Sequence, residues 1–166
     1  MTHGFDNVGI KYDAHGNRNL LLDNKTMEGF KNSSDCLVKQ YSAYRVNGTS
    51  ANVDGNLTLG ENIADQGGLR ISENAYENWL RSNVDTSLPG LEKFSANKLF
   101  YLGYALPWYV AYSDDYHEAL RQTRDSHAPR KFRVIGTLSN SEKFASTWGC
   151  KKGSKMNPIE KCSIWG

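Results

Sequence analysis

The first pattern with a chemical reading is Glu61-Asn-Ile-Ala-Asp65, two carboxylates four residues apart in a segment otherwise patterned for burial. On a helix the two share one face, and a carboxylate facing a core needs a partner. Two readings stand side by side. In one, Glu61 caps the start of a helix or pairs with a Lys or Arg. In the other, one carboxylate is a metal ligand and the second orients a ligating histidine. Zinc accepts Glu oxygen beside His nitrogen, and such a histidine donates its other N–H to a carboxylate. His3, near the start of the chain, is by itself an ordinary solvated residue. His127 and Arg133, in Ser126-His-Ala-Pro-Arg-Lys-Phe-Arg133, form either a surface cluster beside Asp125 or a pair that binds developing negative charge and a substrate carbonyl in a cleft. Spacing leaves these alternatives open.

The elements that must position these residues read as mainly helical. Over residues 23–44 the apolar residues Met27, Phe30, Cys36, Leu37, Val38, Tyr41 and Tyr44 recur at helical spacing, with Asp23 or Asn24 as cap, which predicts a helix with one buried face. A loop rich in Gly, Asn and Asp over 45–57 separates it from a second helix over 58–80, which carries both carboxylates. Gly67-Gly68 in its middle costs about 1 kcal/mol per glycine relative to Ala, so something approaches closely there or the helix bends. After a loop over 81–94, Ser95 caps a third helix reaching to 112 that Pro107 kinks or ends, and 114–123 continues as a short helix. Residues 124–130 read as a polar loop, 132–135 as a strand or extended run, and 140–148 as a final short helix before an irregular tail. At the other end, 10–12 reads as a short strand followed by a turn over 13–17.

A chain of 166 residues with 39% hydrophobic content buries roughly two-thirds of its unfolded surface, so a single soluble domain is expected. The net charge of +2 is dispersed and not gathered into a basic stripe, which argues against a nucleic-acid partner. No apolar run approaches the ~20 residues of a membrane span, and the first residues carry neither the basic flank nor the apolar stretch of a signal peptide. Against that, Asn24-Lys-Thr26, Asn32-Ser-Ser34, Asn47-Gly-Thr49 and Asn56-Leu-Thr58 satisfy the N-glycosylation pattern, and cysteines stand at 36, 150 and 162 without metal-binding spacing. Together these features favour an oxidising compartment, with the odd thiol pairing outside the 166 residues.

Three longer blocks carry a resemblance. Thr58-Leu-Gly-Glu-Asn-Ile-Ala-Asp-Gln-Gly-Gly-Leu69, His127-Ala-Pro-Arg-Lys-Phe-Arg-Val-Ile-Gly-Thr-Leu-Ser-Asn140 and Met156-Asn-Pro-Ile-Glu-Lys-Cys-Ser-Ile-Trp165 closely resemble, in this order, the neprilysin and endothelin-converting-enzyme family of zinc metallopeptidases. The resemblance covers essentially the whole chain but only the last part of a typical member. Residues 1–166 are therefore read as the C-terminal portion of the peptidase catalytic domain. The expected fold class is mainly α with little β, a partial thermolysin-like (zincin) catalytic lobe.

The resemblance also implies roles. Met1-Thr2-His3-Gly4-Phe5-Asp6 looks like the x-x-H-G-F-D portion of an H-E-x-x-H motif, so His3 and Glu61 would be Zn2+ ligands. The motif's first histidine and its general-base glutamate would fall before Met1. Asp65 matches the carboxylate that orients a zinc histidine, His127 the residue that stabilises the oxyanion, and Arg133 the residue that grips a substrate backbone carbonyl. Cys36 would pair with Cys162, and Cys150 with a cysteine in the family's N-terminal part. Tyr109 stands where neprilysin-like members often have another cysteine. Substrates would be peptides, and the complete protein an extracellular or plasma-membrane ectodomain, often membrane-anchored. With two zinc ligands and no general base, the isolated chain is expected to bind metal weakly and hydrolyse nothing, and to expose apolar surface where the missing helix should pack. The alternative is a non-catalytic truncated paralogue that binds peptides or a full-length relative.

Overall fold

The computed structural model describes residues 2–18, 22–46, 48–111 and 124–165. Helix α1 (Asn24–Ser42) starts where its cap predicts: the Asp23 carboxylate accepts the Thr26 N–H at 2.7 Å. Its buried residues Phe30, Ser34, Leu37 and Tyr41 recur at three- and four-residue steps and form the stripe that meets the core. The connection from 43 to 58 is closed by an isolated antiparallel bridge between Arg45 and Asn52. Helix α2 (Leu59–Leu80) follows, entered through a polar knot in which the buried Thr58 hydroxyl donates to the Asp54 carbonyl and accepts from Asn62 Nδ2 at 2.9 Å. Gly67 does admit a close neighbour, since a Cβ there would lie 3.4 Å from Thr2 Cγ2, whereas nothing approaches Gly68 within 4 Å.

Helix α3 (Ala96–Ala105) is capped by Ser95 and gives way to a 3-10 turn, Leu106–Trp108, at Pro107. The proline ring forbids a continued helical hydrogen bond, which is why the element stops there. The expected continuation over 114–123 lies outside the described residues.

Two expectations are corrected. Residues 132–135 are not extended but belong to helix α4 (Arg130–Asn140), entered from Pro129. The β-branched pair Val134-Ile135 favours a strand locally, yet Phe132, Gly136 and Ser139 are buried at helical spacing, and packing outweighs propensity. Gly136 is the contact point: a Cβ there would lie 2.5 Å from the Tyr41 Oη of α1. Likewise residues 10–12 form no strand; Gly9–Lys11 is a 3-10 turn, with a single bridge between Tyr12 and Arg18. The turn after it is present, because Asp13 accepts the His15 and Asn17 N–H groups at 2.9 Å.

Helix α5 (Glu142–Trp148) is capped by Ser141 and ends at Gly149 in the left-handed region with φ 64°. The described residues form helices, 3-10 turns and isolated bridges but no sheet, which matches the expected mainly helical class. None of these helices is long and apolar enough to cross a membrane.

The core has two parts. One joins α1, α2 and α4 through Leu37, Tyr41, Ile63 and Phe132; the other joins α2 to α3, α4 and α5 through Leu69, Tyr101, Leu138 and Phe144. The Cys36–Cys162 disulfide forms as the resemblance implied, tying α1 to a segment 126 residues later, while Cys150 is a free thiol. Between the first turn, α2 and Trp165 an apolar cleft of about 320 Å³ remains open, lined by Thr2, Phe5, Ile63, Gly67, Ile71 and Trp165 among others.

Candidate active site

The N-terminal residues are laid along α2 by a small carboxylate-centred fold. Asp6, buried to 6% relative exposure, accepts the Val8 and Gly9 N–H groups on one oxygen, both at 2.7 Å. Its other oxygen meets His3 Nδ1 at 2.8 Å. Glycine is required at position 9, since a Cβ there would overlap the carbonyl oxygen of His3. With Nδ1–H donated to Asp6, His3 keeps the Nε2 lone pair free. That Nε2 stands 3.5 Å from Glu61 Oε1.

A second histidine approaches the other carboxylate oxygen. His127 Nε2 lies 3.3 Å from Glu61 Oε2, while its Nδ1 is held by Asp125 Oδ1 at 2.7 Å; the same oxygen accepts the His127 backbone N–H at 2.9 Å. Desolvation raises the Asp125 carboxyl, but these two hydrogen bonds and the imidazole outweigh it and hold the group below the ordinary carboxylate range. Both histidines thus present Nε2 toward Glu61 with Nδ1 fixed by an aspartate.

One turn along α2, Asp65 receives a two-armed contact from Arg133: Nε to Oδ2 at 2.7 Å and Nη2 to Oδ1 at 2.6 Å. Nη2 also stands 3.5 Å from Glu61 Oε2. The guanidinium lies 4.2 Å from the centroid of the Trp108 ring. Behind it, the Tyr104 hydroxyl donates to the Arg133 carbonyl, and burial together with the Asp65 charge pushes that phenol up to about 12.

All five residues singled out by sequence, His3, Glu61, Asp65, His127 and Arg133, therefore meet along one side of α2. Both carboxylates pair with cations, and Glu61 sits at the focus instead of capping the helix. Sequence reasoning missed Asp6 and Trp108 and treated Asp125 only as a surface neighbour. The signals were present as H-x-x-D at the spacing of one turn and as D-x-H, but nothing local says that these aspartates grip imidazoles. Trp108 had no such signal, because only the packing of the 3-10 turn Leu106–Trp108 on α4 brings it to Arg133.

The chemistry of the donor set tests whether zinc fits. Ligands at about 2.0–2.2 Å from a tetrahedral zinc stand about 3.4 Å apart, close to the His3–Glu61 separation, and the Nδ1-bonded histidine is the tautomer a metal requires. Among the described residues, however, no three His, Cys, Asp or Glu side chains gather to hold a metal. The residues fit two corners of a zinc site.

The family model of peptidase family M13 matches residues 1–164. The chain belongs to this family. It is 46% identical over 166 residues to an endothelin-converting enzyme homolog of Locusta migratoria, covering 99% of this chain and 22% of that protein. It is also 46% identical over 167 residues to endothelin-converting enzyme 1 of Homo sapiens, covering 99% and 21%. Among solved structures, the zinc metalloprotease of Mycobacterium tuberculosis in complex with an inhibitor superposes with a TM-score of 0.84 at 31% identity over 99% of this chain and 26% of that one. A Haemonchus galactose-containing glycoprotein complex gives 0.83 at 33%, over 99% and 27%. The M13 chain thus spans about a fifth of the length of the curated relatives it matches. Its mainly helical fold is part of a zincin lobe.

Proposed function

We propose that this M13 chain is the C-terminal portion of the catalytic domain of a zinc-dependent metalloendopeptidase that cleaves peptides in an extracellular setting. The observation that carries the reading is the convergence of His3 and His127 Nε2 on the two oxygens of Glu61, each histidine fixed from behind by an aspartate. The endothelin-converting-enzyme relatives and the zinc-protease structures support the reaction class, and the disulfide supports an oxidising compartment.

His3 through Nε2 and Glu61 through its carboxylate would hold the metal, with Asp6 keeping the His3 ring oriented. Bound there, zinc supplies Lewis-acid polarisation and a water of lowered pKa. The remaining steps belong to the protein. In its protonated form, His127 donates from Nε2 to negative charge developing on the scissile carbonyl oxygen, and Asp125 stabilises the imidazolium. The Arg133 guanidinium, fixed by Asp65 and the Trp108 face, hydrogen-bonds a backbone carbonyl of the bound peptide. Asp65 acts as the anchor of Arg133 in this arrangement. A third metal ligand and the general base have no counterpart among the described residues of the site.

The test is zinc-dependent hydrolysis of a quenched-fluorescence peptide by the complete protein containing this chain, and by the 166-residue chain alone. The complete protein is expected to turn over in a chelator-sensitive way. Its His127→Ala variant should lose about 10²–10³ in kcat. The isolated chain should show no turnover. Hydrolysis by the isolated chain, or full kcat in the His127→Ala variant, overturns the assignment.

A further inference from the structure

The cations are scattered along the sequence, but the fold collects a group of lysines where α5 ends. Gly149 closes that helix in the left-handed region, and the chain then turns back on itself over 150–157. Gly153, with φ 83°, makes the bend, and its N–H donates to the Asn157 carbonyl at 2.7 Å. The Ser154 N–H donates to the Lys151 carbonyl and the Asn157 N–H to the Ser154 carbonyl, both at 3.0 Å. From inside, the buried Asn157 side chain donates to the Cys150 carbonyl at 2.8 Å. On the turn so fixed, Lys151, Lys152 and Lys155 are all exposed.

Two more lysines arrive from the entry of α3. Lys98 Nζ lies 5.4 Å from the centroid of the Trp148 ring, at the last residue of α5. Lys93 Nζ lies 5.3 Å from the centroid of Phe94, whose ring is 6.3 Å from that of Trp148. Each ring thus holds an ammonium group over itself. Nearby carboxylates leave most of this charge unmatched. Glu142 meets Lys152 at 3.6 Å and Lys161 at 3.3 Å, and Glu92 accepts the Gly90 N–H at 2.8 Å. Among the described residues no carboxylate pairs with Lys93, Lys98, Lys151 or Lys155, whereas Lys31 and Lys143 each have one at 2.7 Å. Gathered like charges repel one another, and a polyanion that displaces their counterions relieves the repulsion.

The chemistry of the patch selects among polyanions. Residues 150–155, Cys-Lys-Lys-Gly-Ser-Lys, present no exposed apolar side chain of the kind that enters an acyl layer, which a lipid-docking surface needs. The cations are lysines, point charges on flexible stems, and not the planar forks that grip a single carboxylate in two-armed fashion. Such groups suit closely spaced sulfates along a linear chain. We propose that Lys93, Lys98, Lys151, Lys152 and Lys155 form a docking surface for a sulfated polysaccharide. The partner class rests on the extracellular setting proposed above, and the surface shares no residue with the candidate active site.

The experiment measures binding of the complete protein containing this chain to immobilised heparin over a series of salt concentrations, with peptide hydrolysis assayed on the same preparations. Binding that weakens steeply with salt is expected. Lys151→Gln/Lys152→Gln/Lys155→Gln should lower affinity about tenfold or more and flatten the salt dependence, with peptide kcat/KM unchanged. Lys151→Arg/Lys152→Arg/Lys155→Arg should retain the binding. Lys25→Gln/Lys31→Gln/Lys39→Gln, which removes the same charge from α1, should leave it intact. No binding at low salt overturns the proposal, as does equal weakening by the α1 substitutions, which would reduce the effect to net charge. Equal binding to desulfated heparin, or binding to phosphatidylserine vesicles and not to heparin, overturns it as well. Failure of the peptidase reading shows in the hydrolysis assay alone.

Discussion

Arg133 grips Asp65 with both edges of its guanidinium, Nε to one carboxylate oxygen at 2.7 Å and Nη2 to the other at 2.6 Å, across 68 residues of sequence. The pair is largely withdrawn from water, with 13% and 11% of the two side chains exposed. Burial pushes the Asp65 carboxyl above its ordinary range and the guanidinium pulls it part of the way back. Desolvation opposes the charge on Arg133 in turn, but the Asp65 carboxylate more than restores it. The contact fastens α4 to α2 at the place where Arg133 would meet a peptide.

Removing one partner of this pair should therefore cost more than the pair is worth. Arg133→Met leaves a buried carboxylate without its fork and is expected to lower unfolding free energy by about 3–5 kcal/mol, with the double substitution Arg133→Met/Asp65→Leu less damaging than the single one. Urea unfolding of the four proteins in the cycle measures this. A strictly additive cycle would contradict it.

Asp6 makes a separable contribution through His3. Asp6→Asn keeps an oxygen for the Val8 and Gly9 N–H groups but removes the charge that orients the imidazole. Zinc affinity of the complete protein should fall about 10–100-fold. Competition against a chromophoric chelator reads the constant directly, and an unchanged value would remove Asp6 from the site.

The Cys36–Cys162 bond closes a loop of sequence separation 126, for which the chain-entropy estimate is about 5 kcal/mol. Cys36→Ala/Cys162→Ala, or reduction, should lower stability by up to that amount. Denaturant titration with and without reductant decides it; equal midpoints would mean the crosslink constrains nothing.

Acid should loosen the start of α1. The Thr26 N–H is the main cause holding the Asp23 carboxyl below its usual 3.8. A carboxyl depressed in the folded state stabilises above the unfolded value and loses that stabilisation as pH falls through the folded one. The stability difference between wild type and Asp23→Ala should accordingly be constant near neutral pH and shrink below about 3.8. Unfolding measured across that range checks the sign; a difference that grows in acid would refute the cap.

Much of this was legible locally. Asp23, Ser95 and Pro107 act through backbone groups within a few residues of themselves, so the helix starts at 24 and 96 and the stop at Pro107 follow from short-range chemistry. The wording around Glu61, His127 and Cys162 was specific enough to name a family, which the family model over residues 1–164 bears out. Residues 132–135 resisted the same treatment: Val134-Ile135 carries a local strand preference that the burial of Phe132 and Gly136 against α1 overrides, and no short window contains that contact.

The sequence by itself determined which residues were available for metal-assisted peptide chemistry, where the helices begin, and which cysteines to pair by likeness. Only the tertiary structure decided who faces whom. Glu61 lies between two imidazoles that are 124 residues apart in the chain, Asp65 holds an arginine, and Trp108 comes to rest against that arginine. These relations depend on how α2 packs against the first turn and α4. Partner choice across such distances is set by the joint burial of several elements, and no spacing along the chain encodes it.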